Sequence, residues 1–390
     1  MPSSGFGTAT LHGEVCESAV FEAIKAGVRC IDTALLYNNQ AAVGAGIRKA
    51  IAAGLATREE LFVTTKVAFY PADFTSASAG WVPIAWHAEN LKGEAAAAAG
   101  VDLCLQLLGL DYVDLLLIHN PCTALDDYTA SSYPHCFELG GSRLTAEERA
   151  LVLAHRFSRV RLDAAAAEAA RAASWRALEA AQAARKARFI GVSNFSVPLI
   201  RAMAAYARVM PAVNQLELHA RFASPALRAY ARESGLVLTA YGSGNSVRID
   251  ARLGRDGVLS RLAAARGCSS TALVLRWTLQ VGVAVIPRTA TVEHIKENLS
   301  AASLPPLSDA EMAEIAALNE DHPFYCASAG SRMCAAAAAT AAAAAVETVA
   351  RRAALRFALT LTRPPPRPPP HLLAGSPVPL LPIGTYVPDL

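Results

Sequence analysis

The sequence predicts a closed (β/α)8 barrel, on three observations. Short apolar runs alternate with longer runs of helical period, and the alternation repeats eight times. Most of the short runs are apolar without a break, as in strands covered by helices. Glycines such as Gly27, Gly109 and Gly235 stand where helices should stop.

Taken in order, strand one is placed at Ser4–Gly7 and its helix at Cys16–Ala26. Strand two, Arg29–Asp32, leads to a helix at Gln40–Ala53, and strand three, Leu61–Lys66, to a helix at Gly93–Leu108. Strand four, Val113–His119, precedes a helix at Ala164–Lys186. Strand five, Phe189–Val192, is followed by Val197–Tyr206, and strand six, Ala212–Glu217, by Ser224–Ser234. Strand seven, Val237–Tyr241, is followed by one helix, Ser269–Gln280. Strand eight, Val283–Ile286, is followed by Thr291–Leu299, and an extra helix, Ser308–Asn319, comes last.

Two connections exceed plain turns. Val67 to about Lys92 holds Phe69, Tyr70, Phe74, Trp81 and Trp86, and Asn120 to Asp163 holds Tyr128, Tyr133, His135 and Phe137. Both leave the carboxyl ends of strands, where long loops act as lids over a barrel's site. The aromatic residues favour a lid for the first; for the second, lid and insertion stay equally open.

Length and composition set bounds. The 390 residues suffice for one large domain or two ordinary ones. The apolar share of 53% overstates core content because much of it is alanine. The domain reading is a barrel over residues 1–325 and a low-complexity tail over 326–390, expected to be disordered. That tail holds the alanine run Ala335–Ala345, broken by Thr340, then Arg351, Arg352 and Arg356, then the polyproline stretch Pro364–Pro370. A net charge of +3 gives no strong field for a polyanion, so a nucleic-acid partner is not expected. No secretory signal or membrane span is read, so a cytoplasmic location is expected. The eight cysteines occur singly, with no C-x-x-C pair, and read as free thiols. No His-x-His pair occurs among the nine histidines, so no metal site of that kind is expected.

Four residues carry chemistry. Asp32, Lys66 and His119 each end an apolar run, and Tyr37 lies five residues past Asp32. A carboxylate, an ammonium, an imidazole and a phenol brought together at strand ends can move one proton under control. Each residue has a bland role of its own: a helix cap for Asp32, a solvated strand end for Lys66, a packed ring for Tyr37, a core histidine for His119. The ordered set outweighs these.

Three ordered segments resemble the signatures of the aldo-keto reductase superfamily. The first is Gly27-Val28-Arg29-Cys30-Ile31-Asp32-Thr33-Ala34 with Tyr37. The second runs from Leu110-Asp111-Tyr112-Val113-Asp114-Leu115 to His119 and Pro121. The third is Ile286-Pro287-Arg288-Thr289 with Ile295-Lys296-Glu297-Asn298. The resemblance extends from Gly5 to about Asn319, the two long connections excepted, and Val213-Asn214-Gln215-Leu216-Glu217 fits the sixth strand.

The resemblance implies an NADP-dependent enzyme that reduces a small aldehyde or ketone to an alcohol, reversibly, and works as a monomer. In it, Tyr37 protonates the carbonyl oxygen and His119 orients it by a hydrogen bond. A free phenol has a pKa near ~10; Lys66 would lower that value, with Asp32 holding the ammonium in place. The resemblance also implies that Ser193, Asn194 and Gln215 hold the nicotinamide carboxamide and that Tyr241 stacks on its ring. Arg288 and Thr289 would hold the 2′-phosphate, with His294 in place of a frequent second arginine, and Glu297 and Asn298 would contact adenine. No G-x-G-x-x-G opens a βαβ unit, so the nucleotide would be held without a Rossmann domain.

The sequence departs from the family pattern in places. The hairpin that usually closes the barrel's bottom is absent, and Gly242-Ser243-Gly244-Asn245 replaces the usual pyrophosphate loop. Asn120 and Ala68 replace aromatic residues that often wall the pocket, and the usual carboxy-terminal specificity loop is missing or replaced by the tail. The alternative reading is a non-catalytic nucleotide-binding subunit that regulates a partner.

Overall fold

The computed structural model describes residues 1–67, 93–121, 164–253 and 257–321. Eight parallel strands pair in sequence order: β1 (Phe6–Gly7), β2 (Cys30–Asp32), β3 (Phe62–Val67), β4 (Val113–Ile118), β5 (Ala187–Ser193), β6 (Val213–Glu217), β7 (Val237–Tyr241) and β8 (Ala284–Val285). A parallel bridge between Ser4 and Val285 joins the two ends of the sheet. The Gly5 amide donates to the Val285 carbonyl at 2.8 Å and the Gly7 amide to that of Pro287 at 3.0 Å. The fold is thus a (β/α)8 barrel. Gly7 is fitted tightly into this seam: a Cβ there would lie 2.7 Å from the Ile286 carbonyl oxygen.

Among the described residues the helices are α1 (Gly13–Lys25), α2 (Gln40–Ala52), α3 (Gly93–Leu108), α4 (Ala164–Ala183), α5 (Val197–Ala202), α6 (Pro225–Ser234), α7 (Asn245–Leu253), α8 (Val258–Ala265), α9 (Ser270–Gln280), α10 (Val292–Ser300) and α11 (Asp309–Ala316). Several boundaries follow the signals in the sequence. Gly235 ends α6 in the left-handed region at φ +73°. Ser269 caps α9, and Ser308 forms a capping box with Glu311 at the start of α11.

The main departure lies between β7 and β8, where three helices stand instead of one. The polar residues of α7 (Asn245, Ser246, Arg248, Asp250) make it read as a connection, and α8 has only eight residues. The helix expected over Val197–Tyr206 ends at Ala202 and continues as a 3-10 turn, Met203–Ala205. The helix expected to reach Lys186 ends at Ala183, and Arg185 then takes a left-handed φ of +61°. The two long connections and the tail lie outside the described residues, apart from Val67, which closes β3, and Asn120 and Pro121, which open the second connection.

The largest apolar cluster fills the space between strands and helices, with Trp175 and Trp277 buried in it. A second cluster lies inside the barrel at the amino ends of the strands. Its members include Cys30, Phe62, Val213, Val237 and Ala284, the first residues of their strands or close to it, with Leu115 and Leu117. Met1 packs into this cluster. Cys16, Cys30, Cys104 and Cys268 are free thiols. Burial raises the Cys16 and Cys30 thiols to about 12 and that of Cys104 to about 11, which makes them poor nucleophiles.

At the same end of the barrel a fully buried carboxylate ties four elements together. Asp114 accepts from the Val63 amide at 2.9 Å and pairs with Arg58 and Arg188, each at 2.9 Å. Arg58 also stacks on the Tyr112 ring, 3.9 Å from its centroid. Arg188 is half exposed and contributes little. Asp114→Ala leaves the largely buried Arg58 without its counter-ion, so a loss of about 3 kcal/mol is expected. Chemical denaturation checks this, and a loss under about 1 kcal/mol would show that the clamp is dispensable.

Candidate active site

The site is assembled where the strands end. Asp32 closes β2, Lys66 is the penultimate residue of β3, and His119 follows β4 directly. Ser193 closes β5, Gln215 lies two residues before the end of β6, and Tyr241 closes β7. In a parallel barrel all these ends lie on one face.

Tyr37 reaches that face through a 3-10 turn, Leu35–Tyr37, followed by Asn38 in the left-handed region at φ +49°. The turn is fastened by Asn39. Its Nδ2 donates to the Thr8 and Leu11 carbonyls at 2.7 and 2.8 Å, and its Oδ1 accepts from the Thr33 hydroxyl at 2.9 Å. Thr8 in turn donates through Oγ1 to the Asp32 carbonyl at 2.9 Å. The loop bearing the phenol is therefore tied to β1 and β2.

Lys66 is the hub. It is 1% exposed and its ammonium has three partners. It donates to Asp32 Oδ1 at 2.5 Å, to the Thr33 carbonyl at 2.9 Å and to the Tyr37 hydroxyl at 3.2 Å. The second carboxylate oxygen of Asp32 accepts from Gln215 Nε2 at 2.7 Å. Burial lowers the Lys66 ammonium below its ordinary pKa, and the Asp32 carboxylate opposes that shift. His119 stands edge-on to Tyr37 with ring centroids 5.6 Å apart and an interplanar angle of 80°. Burial, helped by the Lys66 cation, holds His119 well below its ordinary pKa. It is neutral at physiological pH and offers one donor and one acceptor nitrogen.

A second group adjoins the first. Ser193 donates to the Gln215 carbonyl at 2.8 Å, and Tyr241 donates its hydroxyl to Asn194 Oδ1 at 2.9 Å. Asn194 Nδ2 donates to the His119 carbonyl at 3.0 Å and to Asn120 Oδ1 at 2.9 Å. Gln215 links the two groups through Asp32.

Arg288, Thr289, His294, Glu297 and Asn298 lie apart, on the segment leaving β8 and on α10. Arg288 is exposed and has no partner among the described residues. It flanks Gly7, whose register partner is Asp32. Thr289 Oγ1 accepts from the Thr291 amide at 3.0 Å. His294 is exposed, Glu297 half-buried and Asn298 buried.

Some participants were not assigned a role from sequence. Beyond β7, the hydroxyls of Ser243 and Ser246 are buried without a hydrogen-bond partner among the described residues at the start of α7. Asn245 Nδ2 donates to Glu217 Oε1 at 3.3 Å there. Arg221 pins α7 through Asp250 at 2.6 Å and holds Glu320 at 2.8 Å. Two orphaned hydroxyls at a helix amino end are suited to an anion. The Gly-Ser-Gly turn after a strand was the available signal. Asn120 is the other such residue; its position next to His119 was its signal.

A family model described as the aldo/keto reductase family matches residues 5–320. An aldo/keto reductase of Synechocystis sp. is 32% identical over 332 residues, covering 83% of this chain and 87% of that protein. The NAD(P)H-dependent D-xylose reductase of Scheffersomyces stipitis is 31% identical over 334 residues, 82% and 91% of the two chains. Among solved structures, a Bombyx mori aldo-keto reductase in complex with NADP superposes with a TM-score of 0.62 at 26% identity, covering 83% of this chain and 91% of that one.

Proposed function

The chain belongs to the aldo/keto reductase family, and from that premise we propose that this oxidoreductase reduces a small aldehyde or ketone to an alcohol with NADPH, with Tyr37 as the general acid. The observation that carries the reading is the single ammonium of Lys66 held by Asp32 at 2.5 Å and by the Tyr37 hydroxyl at 3.2 Å. A cation beside a phenol favours its ionised form, so the proton is more readily given up. His119, neutral and edge-on to the Tyr37 ring, donates to the carbonyl oxygen and orients it. When bound, NADPH supplies the hydride to the carbonyl carbon. Asp32 keeps Lys66 charged against the cost of burial, and Gln215 holds Asp32 in turn.

The residues present suit the nucleotide. Ser193, Asn194 and Gln215 offer donors and acceptors to a carboxamide, and Tyr241 offers a ring. Ser243 and Ser246 offer hydroxyls that have no partner among the described residues to a pyrophosphate. Arg288 offers an uncommitted guanidinium to the 2′-phosphate, helped by Thr289 and, when protonated, by His294. Glu297 and Asn298 are then the adenine contacts. The D-xylose reductase and the NADP complex among the similar proteins support the same reading. Free thiols at Cys16, Cys30, Cys104 and Cys268 suit the reducing interior of a cell, where we place the enzyme.

The test is NADPH oxidation with a panel of aldehydes and ketones. NADPH binding without turnover of any of them would instead favour a non-catalytic nucleotide-binding subunit. Arg288→Ala is expected to weaken NADPH binding by roughly one to two decades and to leave NADH binding nearly unchanged, because charge-assisted bonds contribute about 1.5–3 kcal/mol each. Fluorescence titration with both cofactors checks this. Equal losses would remove Arg288 from 2′-phosphate recognition.

A further inference from the structure

Asn194 is held from three strand ends. Its backbone amide donates to the Gln215 carbonyl at 2.8 Å, and its φ of +64° puts it in the left-handed region, which asparagine tolerates better than most residues. Its side chain has two N–H groups. One acceptor in reach is the His119 carbonyl at 3.0 Å, which can only accept and so fixes which way the amide faces. A second is Asn120 Oδ1 at 2.9 Å. Turning the Asn120 amide over would set one NH2 group against another, so its oxygen faces Asn194. Ser193 Oγ lies at 3.1 Å as a third, weaker acceptor. What Asn194 has left to present is its oxygen, which accepts from the Tyr241 hydroxyl at 2.9 Å.

We infer that Asn120 is a positioning residue for the cofactor. By engaging the second N–H of Asn194 Nδ2, it holds the amide in the orientation set by the His119 carbonyl, so that its oxygen awaits an N–H donor. The donor is the carboxamide N–H of the nicotinamide, which takes the place of the Tyr241 hydroxyl and frees the phenol ring to stack. This rests on the proposed reductase reading. Asn120 is 8% exposed and adjoins His119, so it couples the histidine's strand end to the carboxamide site.

The experiment measures dissociation constants by fluorescence for NADPH and for its 3-acetylpyridine analogue, whose methyl ketone has no N–H. Wild-type protein should favour NADPH. Asn120→Leu should weaken NADPH binding by about fivefold to tenfold, the range of one neutral hydrogen bond, and affect the analogue by less than about twofold. Asn120→Asp keeps an acceptor oxygen and should stay within about twofold of wild type for NADPH. Melting temperatures confirm folding, and Asn120→Ser carries the same comparison if the leucine variant does not fold. Equal losses for both cofactors, an unchanged NADPH affinity in Asn120→Leu, or an aspartate variant as impaired as the leucine one would overturn the inference. Wild-type protein that binds no NADPH would overturn the reductase reading itself, a separate outcome.

Discussion

Tyr37→Phe is expected to lower kcat for carbonyl reduction by about 10²–10⁴-fold, the usual cost of losing a general acid. The ring keeps its place because its anchors lie elsewhere in the loop: the Leu35–Tyr37 turn and the Asn39 bonds to Thr8, Leu11 and Thr33 do not use the phenol oxygen. NADPH affinity should therefore stay within about twofold of wild type, since only the proton donor is lost. Single-turnover kinetics with a saturating aldehyde, together with a cofactor titration, separate these two quantities. Turnover above about a tenth of wild type would remove Tyr37 from the mechanism. A parallel loss of NADPH affinity would mean that the hydroxyl shapes the site instead.

Lys66→Met is expected to cost about 10²-fold or more in turnover, by acting through the same tyrosine. The ammonium 3.2 Å from the Tyr37 hydroxyl favours the phenolate, so its removal makes the phenol a weaker acid. The limb of the pH profile for alcohol oxidation, which needs the phenolate, should move to higher pH. A second consequence has an independent sign. The Lys66 cation helps hold His119 below its ordinary pKa, so removing it should raise that value part-way, burial still keeping it low. NMR titration of the imidazole reads this directly. The variant also leaves the buried Asp32 carboxylate with Gln215 Nε2 as its remaining side-chain partner among the described residues, so a lower melting temperature should accompany it. An unshifted profile with measurable activity would show that Lys66 is not coupled to the acid and would favour a purely structural role.

Much of this was legible in the sequence. Strand periodicity is a local property, and runs such as Val113–Ile118 announce their burial on both sides. Asp32, Lys66 and His119 could be placed at strand ends because an apolar run stops at each of them. Once the strands were ordered, the closed barrel followed, since parallel neighbours with helical crossovers bring every carboxyl end to one face. Helix ends marked by Gly235 or the Ser308–Glu311 box follow from local backbone chemistry in the same way.

Only the tertiary structure decided what spacing cannot encode. That Lys66 reaches both Asp32 and Tyr37, and that Gln215 takes the other oxygen of Asp32 across 183 positions, depends on barrel curvature and side-chain direction. The lock of Asn120 and Tyr241 on Asn194 joins three strand ends and has no local signature. Helix α7 escaped because a short, polar segment is held by partners such as Arg221, fixed only when distant elements pack, and α8 because it has only eight residues. The packing of Met1 against residues of several strands belongs to the same class, since those residues are distant along the chain. Local sequence thus specified which elements form and where their polar ends lie. The long-range fold determined which of those ends meet, because a hydrogen bond depends on distance in space and not on distance along the chain.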